Sequence, residues 1–290
     1  MQILIPLFIF DFRTMSNKII YSSTISLFFL IITLPFLQTV FGFLPEARLI
    51  GFTKDVDLPS FSLSAWYDKS LQTGIEDYFD QNLGLKGALI KTDNQINFSL
   101  FNEIHQKTNS KIIVGGEDYL FENNYIKSYI GRDYREVEIL EERIISLAKL
   151  QEQLTEAGKA FVFLIAPSKA SFYKEHIPPE LIYRTADKDP ENNYERIIPL
   201  LNKYKINYFD GREYLLAKKE DSPYPLFPKG GTHWTRYASC FVSNEIIQEA
   251  GIQLNKEFVF SDCNDVDVSG EPSHEDGDLI DLANLWNKKR

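Results

Sequence analysis

From Ile19 to Pro45 the chain carries no charged residue, and its centre, ISLFFLIITLPFLQTVFGFL, supplies the roughly 20 largely apolar residues that a bilayer-spanning helix needs. Signal-peptide cores are shorter and end in a small-residue cleavage site. FGFLPEAR has no A-x-A pattern, so the run predicts an uncleaved anchor. Arg13 and Lys18 precede it while Glu46 and Arg48 follow, which favours a cytoplasmic N-terminus and a globular domain on the far side. Met15, at the head of MSNKII, is an alternative start.

Beyond a polar connection, apolar residues recur at Trp66, Leu71, Ile75 and Phe79, predicting an amphipathic helix over 66–83, and a second helix is expected over 85–104. KIIVGGEDYLF reads as a short strand entering a glycine turn. The clearest helix runs from Asp133 to Glu156, with Val137, Leu140, Ile144, Leu147 and Leu154 on one face and charged residues elsewhere. Gly158 ends it. AFVFLIAP is a continuous apolar run, the pattern of a strand covered on both faces. Helix then alternates with strand: Tyr194 to Tyr204, INYFD, a helix from Arg212, a GTHW loop, a helix from Thr235 to Ala250 and a last short helix at ANLWN. The alternation predicts an α/β three-layer domain with a mostly parallel sheet, its ligand site at the carboxyl ends of the strands. The expected division is a cytoplasmic N-terminus at 1–18, a transmembrane anchor at 19–45, a connecting helical segment at 46–110 and the α/β domain at 111–290.

Composition narrows this picture modestly. With 44% hydrophobic and 25% charged residues, 290 residues suffice for one good core beside a membrane segment. The 31 basic against 41 acidic residues give a net charge of −10 without a basic block, which argues against nucleic acid as a partner. Cys240 and Cys263, the two cysteines, lack zinc-ligand spacing and allow either one disulfide in an oxidising compartment or two buried thiols. No histidine pair has metal-ligand spacing, and no cofactor or metal is expected.

Three loop residues stand where such a sheet presents a site: Ser168 in APSKASFY, Asp210 in YFDGREY and His233 in PKGGTHWTRYAS. A serine between strand and helix is more often an N-cap than a nucleophile, and an aspartate before glycine is more often a turn residue than an orienting acid. His233, flanked by Gly230, Gly231 and Trp234, has backbone freedom and an apolar wall and is the candidate general base. His105, His176 and His274 sit in polar contexts and are expected at the solvent-exposed surface. Trp234, Lys169 and Tyr119 are candidate substrate contacts, the aromatics by stacking on sugar rings, although aromatics mostly fill cores.

Four stretches in order, VGGEDYLFENNYIKSYIG, IAPSKASFY, FPKGGTHWTRYA and GDLIDL, together resemble the alginate O-acetyltransferase family, whose domains are SGNH hydrolase-like with a permuted order of catalytic residues. The resemblance implies a periplasmic domain, held at the inner membrane by a single-pass signal-anchor, that takes part in exopolysaccharide O-acetylation. It implies a serine-ester mechanism with His233 as base, a polysaccharide acceptor and a membrane-bound O-acyltransferase as acetyl donor. Two departures bear on competence. The family's orienting aspartate stands two residues before the histidine, where this chain has Gly231; Asp210 and Asp278 are the substitutes. The family's nucleophile lies in a Gly-Asp-Ser stretch, and this sequence contains none. The expectation is accordingly a C-terminally incomplete domain, a site whose serine a partner supplies, or a non-catalytic polysaccharide-binding or assembly subunit. A self-contained Ser168–His233 pair is the remaining alternative.

Overall fold

The computed structural model describes residues 17–51, 56–104, 112–183, 191–265, 267 and 274–287. The chain forms two compact units, Met1–Ile90 and Lys91–Arg290.

The first unit opens with α1 (Asn17–Phe41), within which Ile19–Phe41 is long and apolar enough to cross a membrane. Pro35 lies inside it, and the Thr39 hydroxyl donates to the Pro35 carbonyl at 2.8 Å. The helix expected over 66–83 is instead two: α2 (Leu63–Tyr67) and α3 (Ser70–Asn82). The break has a local cause. Asp68 accepts the Ser70 amide at 2.9 Å, an Asx turn that competes with helix continuation, and Lys69 takes the left-handed conformation at φ 66°. Helix α4 (Lys86–Phe101) follows.

In the second unit, β1 (Ile112–Val114) and β2 (Leu120–Glu122) form an antiparallel hairpin, and β3 (Phe163–Ile165) pairs in parallel with β4 (Tyr208–Asp210). The sheet expected to be mostly parallel is therefore, among the described residues, one parallel pair and one hairpin. The five residues 115–119 between β1 and β2 are too few for a crossover, so those strands must run antiparallel. Between β2 and β3 come α5 (Asn123–Tyr129) and α6 (Val137–Glu156); between β3 and β4 come α7 (Lys169–Phe172), α8 (Pro179–Tyr183) and α9 (Asn193–Lys203). After β4 come α10 (Gly211–Ala217), α11 (Arg236–Leu254) and α12 (Asp278–Leu282). Gly158 closes α6 in the left-handed conformation at φ 69°, with the Lys159 amide returning to the Leu154 carbonyl at 2.9 Å. The expected helix at ANLWN lies earlier: α12 spans DLIDL and ends where Asn284 turns left-handed.

Apolar periodicity becomes packing in three places that matter for the site. Leu140 and Ile144 of α6 pack on Leu200 and Leu201 of α9 beneath β3 and β4. Phe172 of α7, Leu215 of α10, Ala238 of α11 and Phe227 from the loop before α11 form a second cluster. Leu279 and Leu285 close a third against Phe98 and the β1–β2 hairpin. Cys240 on α11 and Cys263 form a disulfide, the first of the two states the sequence leaves open. Asn244 reinforces the tie by bonding the main chain of Ser261 in both directions, at 2.8 and 3.1 Å.

The bridge spans a sequence separation of 23. Closing a loop of that length in the unfolded chain stabilises the fold by about 3 kcal/mol. Cys240→Ser with Cys263→Ser is expected to lower the unfolding free energy of the full chain by about that amount in urea denaturation, and added reductant should then have no further effect.

Candidate active site

The loop 228–235 is fixed from several sides before any chemistry is considered. The Leu120 amide of β2 donates to the Lys229 carbonyl at 2.9 Å, the Ile280 amide of α12 to the Gly230 carbonyl at 3.0 Å, and the Thr235 amide to the Leu226 carbonyl at 2.9 Å. Thr235 caps α11, its hydroxyl oxygen accepting from the Ala238 amide at 3.2 Å. Hairpin, α12 and α11 thus converge on the chain segment that carries His233.

His233 projects into solvent, its side chain 64% exposed, and its Nε2 lies 3.6 Å from Asp278 Oδ2. The other oxygen of Asp278 accepts two main-chain amides, Thr232 and Leu279, each at 2.8 Å. One of these belongs to the histidine loop and the other to α12, so the carboxylate is a clasp between the two segments. Charge-assisted bonds of this kind are about twice as strong as neutral ones. Held in this way, Asp278 can orient the imidazole and stabilise the imidazolium, leaving the second ring nitrogen to take a proton.

Gly231 explains why the carboxylate comes from α12. A Cβ at that position would lie 2.5 Å from the Glu275 carbonyl oxygen and 2.9 Å from both the Asp276 carbonyl carbon and Pro228 Cγ. Only glycine fits there without a shift. The turn that delivers Asp278 to His233 occupies the space a side chain at 231 would need.

Lys169 lies beneath the loop. It is 2% exposed, and its Nζ donates to the carbonyls of Lys229 and Gly231, each at 2.8 Å. The ammonium sits over the faces of Tyr119 (5.3 Å) and Phe121 (5.6 Å). Burial pushes Lys169 down to about 7, and the charge of Asp278 acts in the opposite direction. Ser168 places it: the Ser168 hydroxyl accepts the Ser171 amide at 3.2 Å and caps α7, in which Ala170 and Phe172 are buried. The lysine expected at the substrate is therefore an internal tie, because its amine is enclosed and already bonded.

Other sequence candidates fall elsewhere. Ser168 spends its hydroxyl on the α7 cap, with Ser171 Oγ at 3.3 Å. Asp210 caps α10, accepting the Arg212 and Glu213 amides at 3.0 and 3.1 Å, and takes the Tyr194 hydroxyl at 2.7 Å. Among the described residues, Asp278 is the carboxylate brought to His233, and Asp210 is not. Tyr119, proposed to stack on sugar, is 8% exposed, its ring stacked on His176 at 4.4 Å between centroids. That contact also draws His176 out of the exposed position expected for it. Trp234 is half-buried against the α10–α11 cluster. His105 and the side chain of His274 lie outside the described residues. Tyr125 of α5 feels the Asp278 charge: burial first, then Glu122 and Asp278, raise its hydroxyl. A groove of about 430 Å³ along α6 beside Tyr204 and Lys205 holds none of these residues. Among the described residues no group of three His, Cys, Asp or Glu is placed to hold a metal.

Restoring the carboxylate by Gly231→Asp should displace the 275–277 turn and lower stability by about 1–3 kcal/mol, read as a lower urea midpoint. A buried lysine shifted from 10.5 to about 7 binds a proton in the unfolded chain but not in the folded one between those values. The cost of burying its charge is full below pH about 7 and relieved as pH rises toward 10.5. Stability should accordingly climb from pH 7 to 9.5, by up to about 1.4 kcal/mol per pH unit from this group. Lys169→Met should remove that part of the slope.

Residues 112–289 match the family model described as "SGNH hydrolase-like domain, acetyltransferase AlgX". Among solved structures the chain is similar to the O-acetyltransferase domain of Pseudomonas putida AlgJ, with 18% identity, a TM-score of 0.35 and coverage of 50% of this chain. It spans about half of that structure's length, 48%. No curated protein matches. The match over 112–289 takes in the β1–β2 hairpin, Lys169, His233 and Asp278, and the chain belongs to the SGNH hydrolase-like acetyltransferase domains of the AlgX family.

Proposed function

We propose that this domain serves O-acetylation of an exopolysaccharide of the alginate type outside the cytoplasmic membrane, with His233 as general base and Asp278, in place of a carboxylate at 231, as the orienting acid. The observation that carries the reading is the Asp278 carboxylate, pinned by the Thr232 and Leu279 amides and turned toward His233 Nε2. In each acyl transfer the imidazole takes the proton of an attacking hydroxyl as its oxygen adds to the acetyl carbonyl. It then returns that proton to the departing oxygen as the tetrahedral intermediate collapses. Asp278 stabilises the imidazolium between the two steps. Among the described residues His233 has Asp278, not a hydroxyl, as its polar partner. The serine that would carry the acetyl group is thus assigned to none of the described residues.

The setting is inferred from independent features. An apolar helix of spanning length precedes the domain. The Cys240–Cys263 disulfide suits an oxidising compartment, which the periplasm is and the cytoplasm is not. A polysaccharide acceptor and a membrane-bound O-acyltransferase as acetyl donor complete the proposal, with the domain in the periplasm and α1 as its single-pass anchor in the inner membrane. A second reading is a non-catalytic polysaccharide-binding or assembly subunit.

Hydrolysis of a chromogenic acetyl ester by the full chain separates the two. With water as the attacking hydroxyl, the proposal expects turnover that His233→Ala abolishes and that Asp278→Asn lowers by about 10²- to 10⁴-fold in kcat, while Ser168→Ala leaves kcat unchanged. Turnover indifferent to His233→Ala would overturn it. No turnover, together with polysaccharide binding that survives His233→Ala, would establish the second reading.

A further inference from the structure

In the first unit, the stretch LPSFSLSAWY from Leu58 to Tyr67 carries no charge. Its apolar side chains stand in solvent: Leu58 is 60% exposed, Phe61 68%, Leu63 71%, Trp66 56% and Tyr67 86%. None of the residues of α2 is buried. A water-facing helix of a soluble protein would show polar residues at several of these positions. The combination of Trp, Tyr, Phe and Leu without charge is the composition that collects at the boundary between headgroups and acyl chains.

The stretch is mechanically continuous with α1. At the last turns of that helix Gln38 exchanges hydrogen bonds with the main chain of Leu44, at 2.6 and 3.0 Å, and donates to Glu46 at 2.9 Å. Thr39 Oγ1 accepts the Gly84 amide at 2.7 Å, and Glu46 accepts the Leu85 amide at 2.9 Å. The end of α3 is thus seated on the end of α1. Asn82 bonds the Val56 carbonyl, and Pro59 packs on Gly74, where a Cβ would come within 2.9 Å of its ring. The stretch therefore runs back along α3. Helix α3 is itself two-sided, with Leu71, Ile75 and Phe79 in one row and Glu76, Asp77 and Asp80 on the other side; Leu71 is buried within the protein at 5% exposure, and Phe79 is 46% exposed.

We propose that Leu58–Tyr67 rests in the interfacial layer of the bilayer that α1 crosses. The proposal rests on α1 as a membrane span. It makes the first unit a membrane-lying foot in addition to a tether.

The test uses the full chain in phosphatidylcholine vesicles whose acyl chains carry bromine. Trp66 is one of three tryptophans, so its signal is the difference between wild type and Trp66→Phe. Expected is quenching of that difference by brominated lipid, with little quenching by aqueous iodide. Trp66→Phe with Tyr67→Trp should restore the lipid-quenched emission. Quenching by iodide and not by bromolipid would overturn the proposal, as would protection from both, which would mean packing on protein. Extraction of the chain by alkaline carbonate reports separately on α1. If the chain is extracted, the span itself is wrong; if it stays and Trp66 is unquenched by lipid, only the interfacial foot is wrong.

Discussion

A buried ammonium organises the region around His233. Lys169 reaches two carbonyls on either side of Gly230, some 60 residues further along the chain, and lies over two aromatic rings contributed by the hairpin. Removing such a charge from water is unfavourable, and burial accordingly weakens its hold on the proton. The compensation is geometric. Both carbonyls are drawn to one point, so the loop before the histidine has little freedom. Hairpin, α7 and loop become one assembly through a single side chain, while amides from β2 and α12 secure the same loop from outside.

The Asp278–His233 contact depends on that assembly. Thr232 contributes its amide to the carboxylate only because the loop is held against the turn that precedes α12. The absence of a side chain at Gly231 is part of the same arrangement, since the Glu275 carbonyl fills the space. Leu279, one residue beyond the aspartate, is 2% exposed and anchors α12 in the cluster shared with the hairpin. Burying a leucine of this kind contributes about 1.5–3 kcal/mol. The Asp278 carboxylate is therefore located by hydrophobic packing next to it, and it inherits the rigidity of that core.

The two cysteines illustrate a different coupling, between compartment and fold. Segment 255–265 after α11 has few apolar anchors; Val259 is 95% exposed. A covalent bridge and the paired Asn244 bonds hold it instead. Such a tie is available where thiols are oxidised, which agrees with a domain proposed to work beyond the membrane.

Local signals in the sequence were enough for the apolar span, for the amphipathic α6, for the glycine that ends it and for the capping residue Ser168, because each depends on neighbours a few residues away. The motif order was enough for the family. Pairing was not legible in the same way. Strand direction in β1–β2 followed from a turn only five residues long, and the break at Lys69 followed from a side-chain bond to the next turn. Asp278 and Asp210 looked equivalent as partners for His233, since nothing in a linear pattern reports which loop lies against which. The choice was made by tertiary packing: α12 docks its leucines beside the hairpin and carries its first residue to the histidine, whereas Asp210 is consumed by the start of α10. Lys169, a charged residue in a polar motif, read as a surface contact for the same reason. Its burial is decided by carbonyls and rings that come from distant parts of the chain, and such long-range compensation exists only once the chain is folded.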